Sequence, residues 1–86
     1  MYATTAEFLG TFLLIAVIAF VGNPYAIGAA LASAIVLVGG VSGGHFNPAV
    51  SLWAYISGKI SSGTLSSYVI AQSAAAIAVF MLKRVL

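Results

Sequence analysis

Of 86 residues, 63% are apolar and 5% are charged, a balance that leaves a water-soluble domain of this size almost no polar surface. The solvent is therefore lipid. Three basic side chains and one acidic one give a net charge of +2, too sparse and scattered for a nucleic-acid footprint, and the lack of cysteine excludes disulfides and thiolate metal sites.

The chain opens on an apolar run from Ala6 to Val21, broken only by Glu7, Gly10 and Thr11. It has no basic leader and carries Glu7 at its head, so it reads as a retained membrane helix over about 3–21 rather than a signal peptide. Gly22-Asn23-Pro24-Tyr25 then reads as a tight turn, since Gly and Asn tolerate positive φ and Pro does not continue a helix. A second span follows over about 25–41. Pro48 to Ser57 is apolar but, at about 1.5 Å per residue, reaches only roughly 15 Å. It is expected to enter the bilayer and return on the same side, within a re-entrant loop and half-helix over 42–58. After Ser61-Ser62-Gly63 comes the last span, over about 64–82, with Lys83-Arg84 anchoring it at the headgroups. The expectation is an all-α membrane protein: a single repeat, 1–86, of three transmembrane helices plus one re-entrant half-helix. Gly28 with Ala32, and Ala74 with Ala78, are the small-residue pairs expected at close helix crossings.

The segment Ser42-Gly-Gly-His-Phe-Asn-Pro-Ala-Val50 carries the chemistry. Irregular backbone at membrane depth is tolerated only where protein buries it or a water-filled cavity receives it. Gly43, Gly44, His45 and Phe46 are expected to run extended with their carbonyls turned to one side, a ladder of acceptors. Asn47 fits a helix N-cap and Pro48 the first helical position. The free NH2 of Asn47 and the positive end of the half-helix dipole would attract the oxygen of a neutral solute and repel cations.

His-Phe-Asn-Pro-Ala-Val preceded by Ser-Gly-Gly resembles the first signature loop of the aquaporins, the major intrinsic protein family. Ala6-Glu7-Phe8-Leu9-Gly10-Thr11 and Tyr68-Val69-Ile70-Ala71-Gln72 are similar to that family's flanking patterns. The resemblance implies a channel for water or small uncharged solutes. It also implies that Asn47 donates to the permeating molecule, that Gly43 to Phe46, Pro48, Ala49 and Val50 line the path, and that Glu7 and Gln72 support the loop from buried positions. Members of the family hold two inverted halves in one chain, and this sequence resembles one. The family's selectivity constriction uses an Arg after the second Asn-Pro-Ala, where Val50 stands here, and an aromatic from the second span, where alternative alignments place Ser33 or Ile27. A wider, less cationic constriction is expected.

Other readings stand beside these. Glu7 lies near a helix start and could snorkel, Gln72 could bond a neighbouring helix, and His45 could titrate or bind a metal, although its motif holds no Cys, Asp or second His. Tyr2, Tyr25, Trp53 and Tyr55 read as interfacial or packing aromatics. Catalysis has no foothold in the absence of a paired carboxylate, a nucleophile with its base, a phosphate loop or a metal cluster, so neither enzyme activity nor a cofactor is expected.

Three crossings place the chain ends on opposite sides, with Lys59 on one side and Lys83-Arg84 on the other, a nearly even basic balance. This balance suggests insertion in both orientations, with two antiparallel copies making a pore; the resemblance implies a tetramer of such pores, which would take eight chains. The competing functions are a non-conducting structural or partner subunit that completes another half-channel, and a small dual-topology transporter coupled through Glu7. The expected location is the cell (inner) membrane. Met1 and the end just after Lys83-Arg84 suggest a short complete gene product, with a fragment of a longer protein as the alternative.

Overall fold

The computed structural model describes all 86 residues and contains four helices and no strand: α1 Ala3–Phe20, α2 Pro24–Ser42, α3 Pro48–Ile56 and α4 Ser62–Val85. Helices α1, α2 and α4 are long and apolar enough to cross a membrane. The nine-residue α3 is not, at roughly 14 Å. The molecule is 39 Å along its longest axis, near the thickness of a bilayer with its headgroups, about 40–45 Å. The all-α arrangement of three spans and a half-helix is the expected one.

Helix boundaries follow local chemistry. Gly22 takes φ +73° and turns the chain after α1. The Asn23 carboxamide oxygen then accepts from the backbone N–H groups of Tyr25 at 2.9 Å and Ala26 at 3.2 Å. Capped this way, α2 begins at Pro24 itself, because a proline at the first helical position gives up an N–H that has no helical partner. The turn is therefore shorter than the sequence suggests. At the far end of α3, Gly58 adopts φ +75°, with its N–H on the Tyr55 carbonyl and the Lys59 N–H on the Ala54 carbonyl at 2.8 Å. This pair of bonds is a Schellman closure, and it ends the half-helix sharply. The Ser61 hydroxyl oxygen caps α4 by accepting from Thr64 N–H at 3.1 Å. Lys83 and Arg84 extend the last helix instead of following it, since cations favour the negative end of the helix dipole.

Helix α1 packs against both α2 and α4, and α3 packs against α4. The crossings use small side chains: Ala6 on α1, Ala30 and Ala34 on α2, Ala54 on α3, Ala71 and Ala75 on α4, all buried. The expected pairs are displaced round their helices. Gly28, Ala32 and Ala74 are exposed, and nothing lies within 4 Å of where a Gly28 Cβ would sit. Spacing of four is right for a crossing face, but α2 and α4 hold several such rows, and the face turned to α1 is the one that seats the loop. Only 15 of 86 residues are buried, which leaves Ile35, Val36, Leu37, Ile56, Ile70, Ile77 and Phe80 to face lipid or a partner.

A re-entrant loop anchored on a buried glutamate

The backbone from Gly43 to Asn47 connects α2 to α3, with Phe46 as its buried residue. It is not extended. Gly43, Gly44 and Phe46 have φ of +96°, +68° and +55°, so the segment curls through left-handed conformations. Two of these suit glycine; the third places a bulky residue where left-handed backbone costs about 1–2 kcal/mol. The expected straight ladder of carbonyls is corrected accordingly: a chain that must reverse direction within five residues uses positive φ to do so. The carbonyls of Gly43, Gly44, His45 and Phe46 nevertheless accept no hydrogen bond from the chain.

Phe46 is held at both ends. Its N–H donates to Glu7 Oε1 at 2.7 Å. Its ring, 2% exposed, lies so close over Gly10 that a Cβ there would stand 2.1 Å from it. Glu7 and Gly10 lie on one face of α1 by their i, i+3 spacing, and the absence of a side chain on Gly10 lets the ring approach the helix this closely.

Glu7 is fully buried, which rules out snorkelling. Its Oε2 accepts from the Ser42 hydroxyl at 2.6 Å and from His45 N–H at 3.1 Å. Its Oε1 accepts from Phe46 N–H and from Gln72 Nε2 at 2.9 Å. Four donors on two oxygens is how a carboxylate can be kept inside a protein at membrane depth. The Gln72 amide nitrogen also donates to Ser51 Oγ at 2.9 Å, and Ser51 Oγ meets His45 Nδ1 at 2.9 Å. Tyr68 completes the set, its hydroxyl donating to the Ser42 carbonyl at 2.6 Å. All four helices thus contribute a side chain to one network.

The half-helix starts at Asn47, whose Oδ1 accepts from Ala49 N–H at 2.7 Å. The Asn47 NH2 has no partner in the chain. It borders an open cleft of about 320 Å³ lined by residues including Thr11, Ile15, Phe46, Pro48 and Gln72. Thr11 stands halfway along α1 and Gln72 near the middle of α4, so the tip of α3 sits at mid-membrane depth. Two buried polar atoms lack hydrogen bonds, Thr11 Oγ1 and Gln72 Oε1, and both belong to residues of this cleft.

Gly43, Gly44, His45, Phe46 and Asn47 come together with Glu7 and Gln72. Asn47, Pro48, Ala49 and Val50 are exposed on the open side of the chain. Ser33 and Ile27 do not reach the Asn47 cleft; Ser33 lines a shallow hollow on α2 with Ala32, Val36 and Leu37. Trp53, Tyr55, Tyr2 and Tyr25 are exposed, with Lys59 Nζ 5.0 Å above the Trp53 ring. Ser51 carries the site without having been named from the sequence, and Gly10, Thr11, Ser42 and Tyr68, though they lie in the segments quoted above, were given no role of their own there. The available signal was polarity inside apolar spans, together with the spacing of Glu7, Gly10 and Thr11 along one helix face.

Three apolar spans and a half-spanning helix make this an integral, multi-pass membrane protein. Residues 1–86 match the family model MIP, Major intrinsic protein. Aquaglyceroporin AqpS of Rhizobium meliloti (strain 1021) is 42% identical over 89 residues, covering 85% of this chain and 38% of that protein. Glycerol uptake facilitator protein-like 6 of Lactiplantibacillus plantarum is 43% identical over 81 residues, covering 84% and 38%. Aquaporin Z of Brucella melitensis is 39% identical over 89 residues, covering 86% and 39%. No solved structure matches. The chain belongs to the major intrinsic protein family, and it spans about two fifths of the length of these relatives.

Proposed function

We propose that this chain is half of a pore for water or small uncharged solutes, completed by a second copy inserted the opposite way up. The observation that carries the reading is the Asn47 carboxamide. Its oxygen is committed to the helix cap, and its NH2 is free at the positive end of a half-helix at mid-membrane depth. A donor beside a positive dipole end attracts the oxygen of a neutral molecule and repels cations. Pro48, Ala49 and Val50 line the path beside Asn47, and the unbonded carbonyls of Gly43, Gly44, His45 and Phe46 supply acceptors leading to it. Glu7 and Gln72 support the loop, a role in keeping with their hydrogen bonds to it and to each other.

The open side of the site supports an inverted partner. Asn47 to Val50 are exposed, and the Asn47 NH2 has no partner in the chain. Lipid tails cannot satisfy such a group. Two antiparallel copies would enclose a water-filled path between two Asn47 residues, and eight chains would give the four-pore assembly that the resemblance implies.

Osmotic shrinkage of proteoliposomes tests the function. Wild type should shrink faster than empty vesicles, and the excess should be lost on Asn47→Phe; equal rates for wild type and empty vesicles would leave the non-conducting subunit as the better reading. A reporter fused to either terminus should be found on both sides of the membrane. A single orientation for all copies would sink the inverted pair.

A further inference from the structure

We propose that Ser51 is a positioning residue that holds His45 in the tautomer protonated on Nε2, so that the imidazole turns an N–H donor outward from the loop. The argument follows the direction of each hydrogen bond outward from Glu7. Both carboxylate oxygens face backbone N–H groups, those of His45 and Phe46, so the carboxylate acts as an acceptor only. The Gln72 atom facing Glu7 must then be the amide nitrogen, as placed, since two acceptors would repel. That nitrogen carries two hydrogens. One goes to Glu7 and the other to Ser51 Oγ, which makes the serine oxygen an acceptor on that side.

Ser51 Oγ has one other partner, His45 Nδ1 at 2.9 Å. The serine hydrogen therefore points at Nδ1, and a nitrogen that accepts carries no hydrogen of its own. In a neutral imidazole the hydrogen then resides on Nε2, because the bond made by one ring nitrogen decides the state of the other. The edge-on packing of the His45 ring against Tyr68, with centroids 5.1 Å apart, keeps the ring in this pose.

Nε2 has no hydrogen-bond partner in the chain and is not sealed inside it. It lies beside Gly43, where an added Cβ would come within 3.3 Å of it. A glycine at that point leaves the space beside Nε2 unfilled. The chain of bonds thus runs from a buried acceptor, through Gln72 and Ser51, to a donor facing outward. With the opposite tautomer, the Ser51 oxygen would receive two hydrogens and its own would have no acceptor.

His45 is the only histidine in the sequence, so a single residue can be read by nitrogen spectroscopy if purification avoids a histidine tag. The experiment is solid-state NMR of 15N-histidine-labelled protein in lipid vesicles, at a pH where the ring is neutral. Wild type should give one state, protonated at Nε2 with Nδ1 as acceptor. Ser51→Ala should give a mixture of both tautomers, and Ser51→Thr, which keeps the hydroxyl, should restore the single state. A wild-type ring protonated at Nδ1, or an Ser51→Ala spectrum identical to wild type, overturns the proposal. The spectra do not depend on conduction. The donor role rests on the pore reading and is tested separately: water permeability should fall about two- to tenfold in Ser51→Ala, the range expected for one neutral hydrogen bond, and recover in Ser51→Thr. Equal permeabilities in a conducting protein overturn the donor role. A wild type that does not conduct overturns the pore reading instead, and the spectra still decide what Ser51 does.

Discussion

Replacing Glu7 by Gln preserves the side chain's size and removes one acceptor, and the structure allows the consequence to be counted. Oε2 serves the Ser42 hydroxyl and His45 N–H; Oε1 serves Phe46 N–H and Gln72 Nε2. With the new carboxamide oxygen turned to Phe46 and Gln72, its NH2 faces Ser42 and the His45 amide. The serine can rotate to accept, but the backbone N–H cannot. Turned the other way, the Phe46 amide is orphaned. Either orientation leaves at least one buried N–H unpaired, about 1–3 kcal/mol, and converts charge-assisted bonds into neutral ones, a further ~1 kcal/mol or more. A total of about 2–4 kcal/mol corresponds to roughly 30- to 1,000-fold in the equilibrium between docked and undocked loop. The left-handed backbone of Phe46 adds to the drive to undock. The sequence lacks cysteine, so Ala54→Cys, at a position 1% exposed on α3, reports docking through its reaction with a membrane-permeant thiol reagent. Labelling should be slow in that background and much faster once Glu7→Gln is added, with helix content unchanged because the spans do not depend on the loop. Equal labelling rates would refute the idea that the carboxylate is what holds the loop.

Three further outcomes follow. Gly10→Ala drives a methyl into the Phe46 ring and should destabilise the docked loop by about 1–3 kcal/mol, seen as faster labelling at the same reporter; adding Phe46→Leu should recover part of the loss. Asn47→Asp keeps the oxygen that caps α3 but replaces the outward NH2 with an acceptor bearing negative charge, so water permeability should fall while cation leak across the vesicle rises; an unchanged ratio of the two would count against the donor role of Asn47. Asn23→Ala removes two cap bonds to Tyr25 and Ala26 and should lower the thermal midpoint through about 1 kcal/mol of helix stability without altering permeability, since α2 begins on the far side of the membrane from the loop.

Much of the fold was legible because each span announces itself by length and apolarity, and α3 by being too short to cross. The Asn47-Pro48 cap was legible for a local reason: Asn before Pro at the head of an apolar run satisfies two terminal rules at once. Three features were not. The curl at Gly43, Gly44 and Phe46 was missed because a glycine pair permits extended and left-handed backbone equally, and only the need to bring His45 and Phe46 amides onto Glu7 selects the second. The crossing faces were missed because several rows of small residues compete on α2 and α4, and the sequence does not say which row meets α1. The role of Ser51 was missed because a serine hydroxyl in a membrane helix bonds its own backbone as readily as a distant partner, and its partner on α4 appears only when α3 lies against that helix; the role of Tyr68 was missed because its acceptor, the Ser42 carbonyl, lies 26 residues away at the end of α2.

The polar groups of this small membrane chain divide into two sets. Those that fix the loop are paired among themselves: Glu7 with Ser42, His45, Phe46 and Gln72, Gln72 with Ser51, and Tyr68 with the Ser42 carbonyl. A second set has no partner in the chain: the Asn47 NH2, on a residue that lines the cleft, and the buried Thr11 Oγ1 and Gln72 Oε1. A half that left its loop network open would depend on its partner to fold, because unpaired amides at membrane depth cost several kcal/mol each. One that paired everything would have nothing to offer a solute. Gln72 belongs to both sets, with its nitrogen spent on the loop and its buried oxygen left unpaired. On the proposed reading this separates assembly from conduction. Changes at Glu7, Gly10 or Ser42 should act through the docking of the loop, whereas changes at Thr11 or Asn47 should alter passage with the loop still seated.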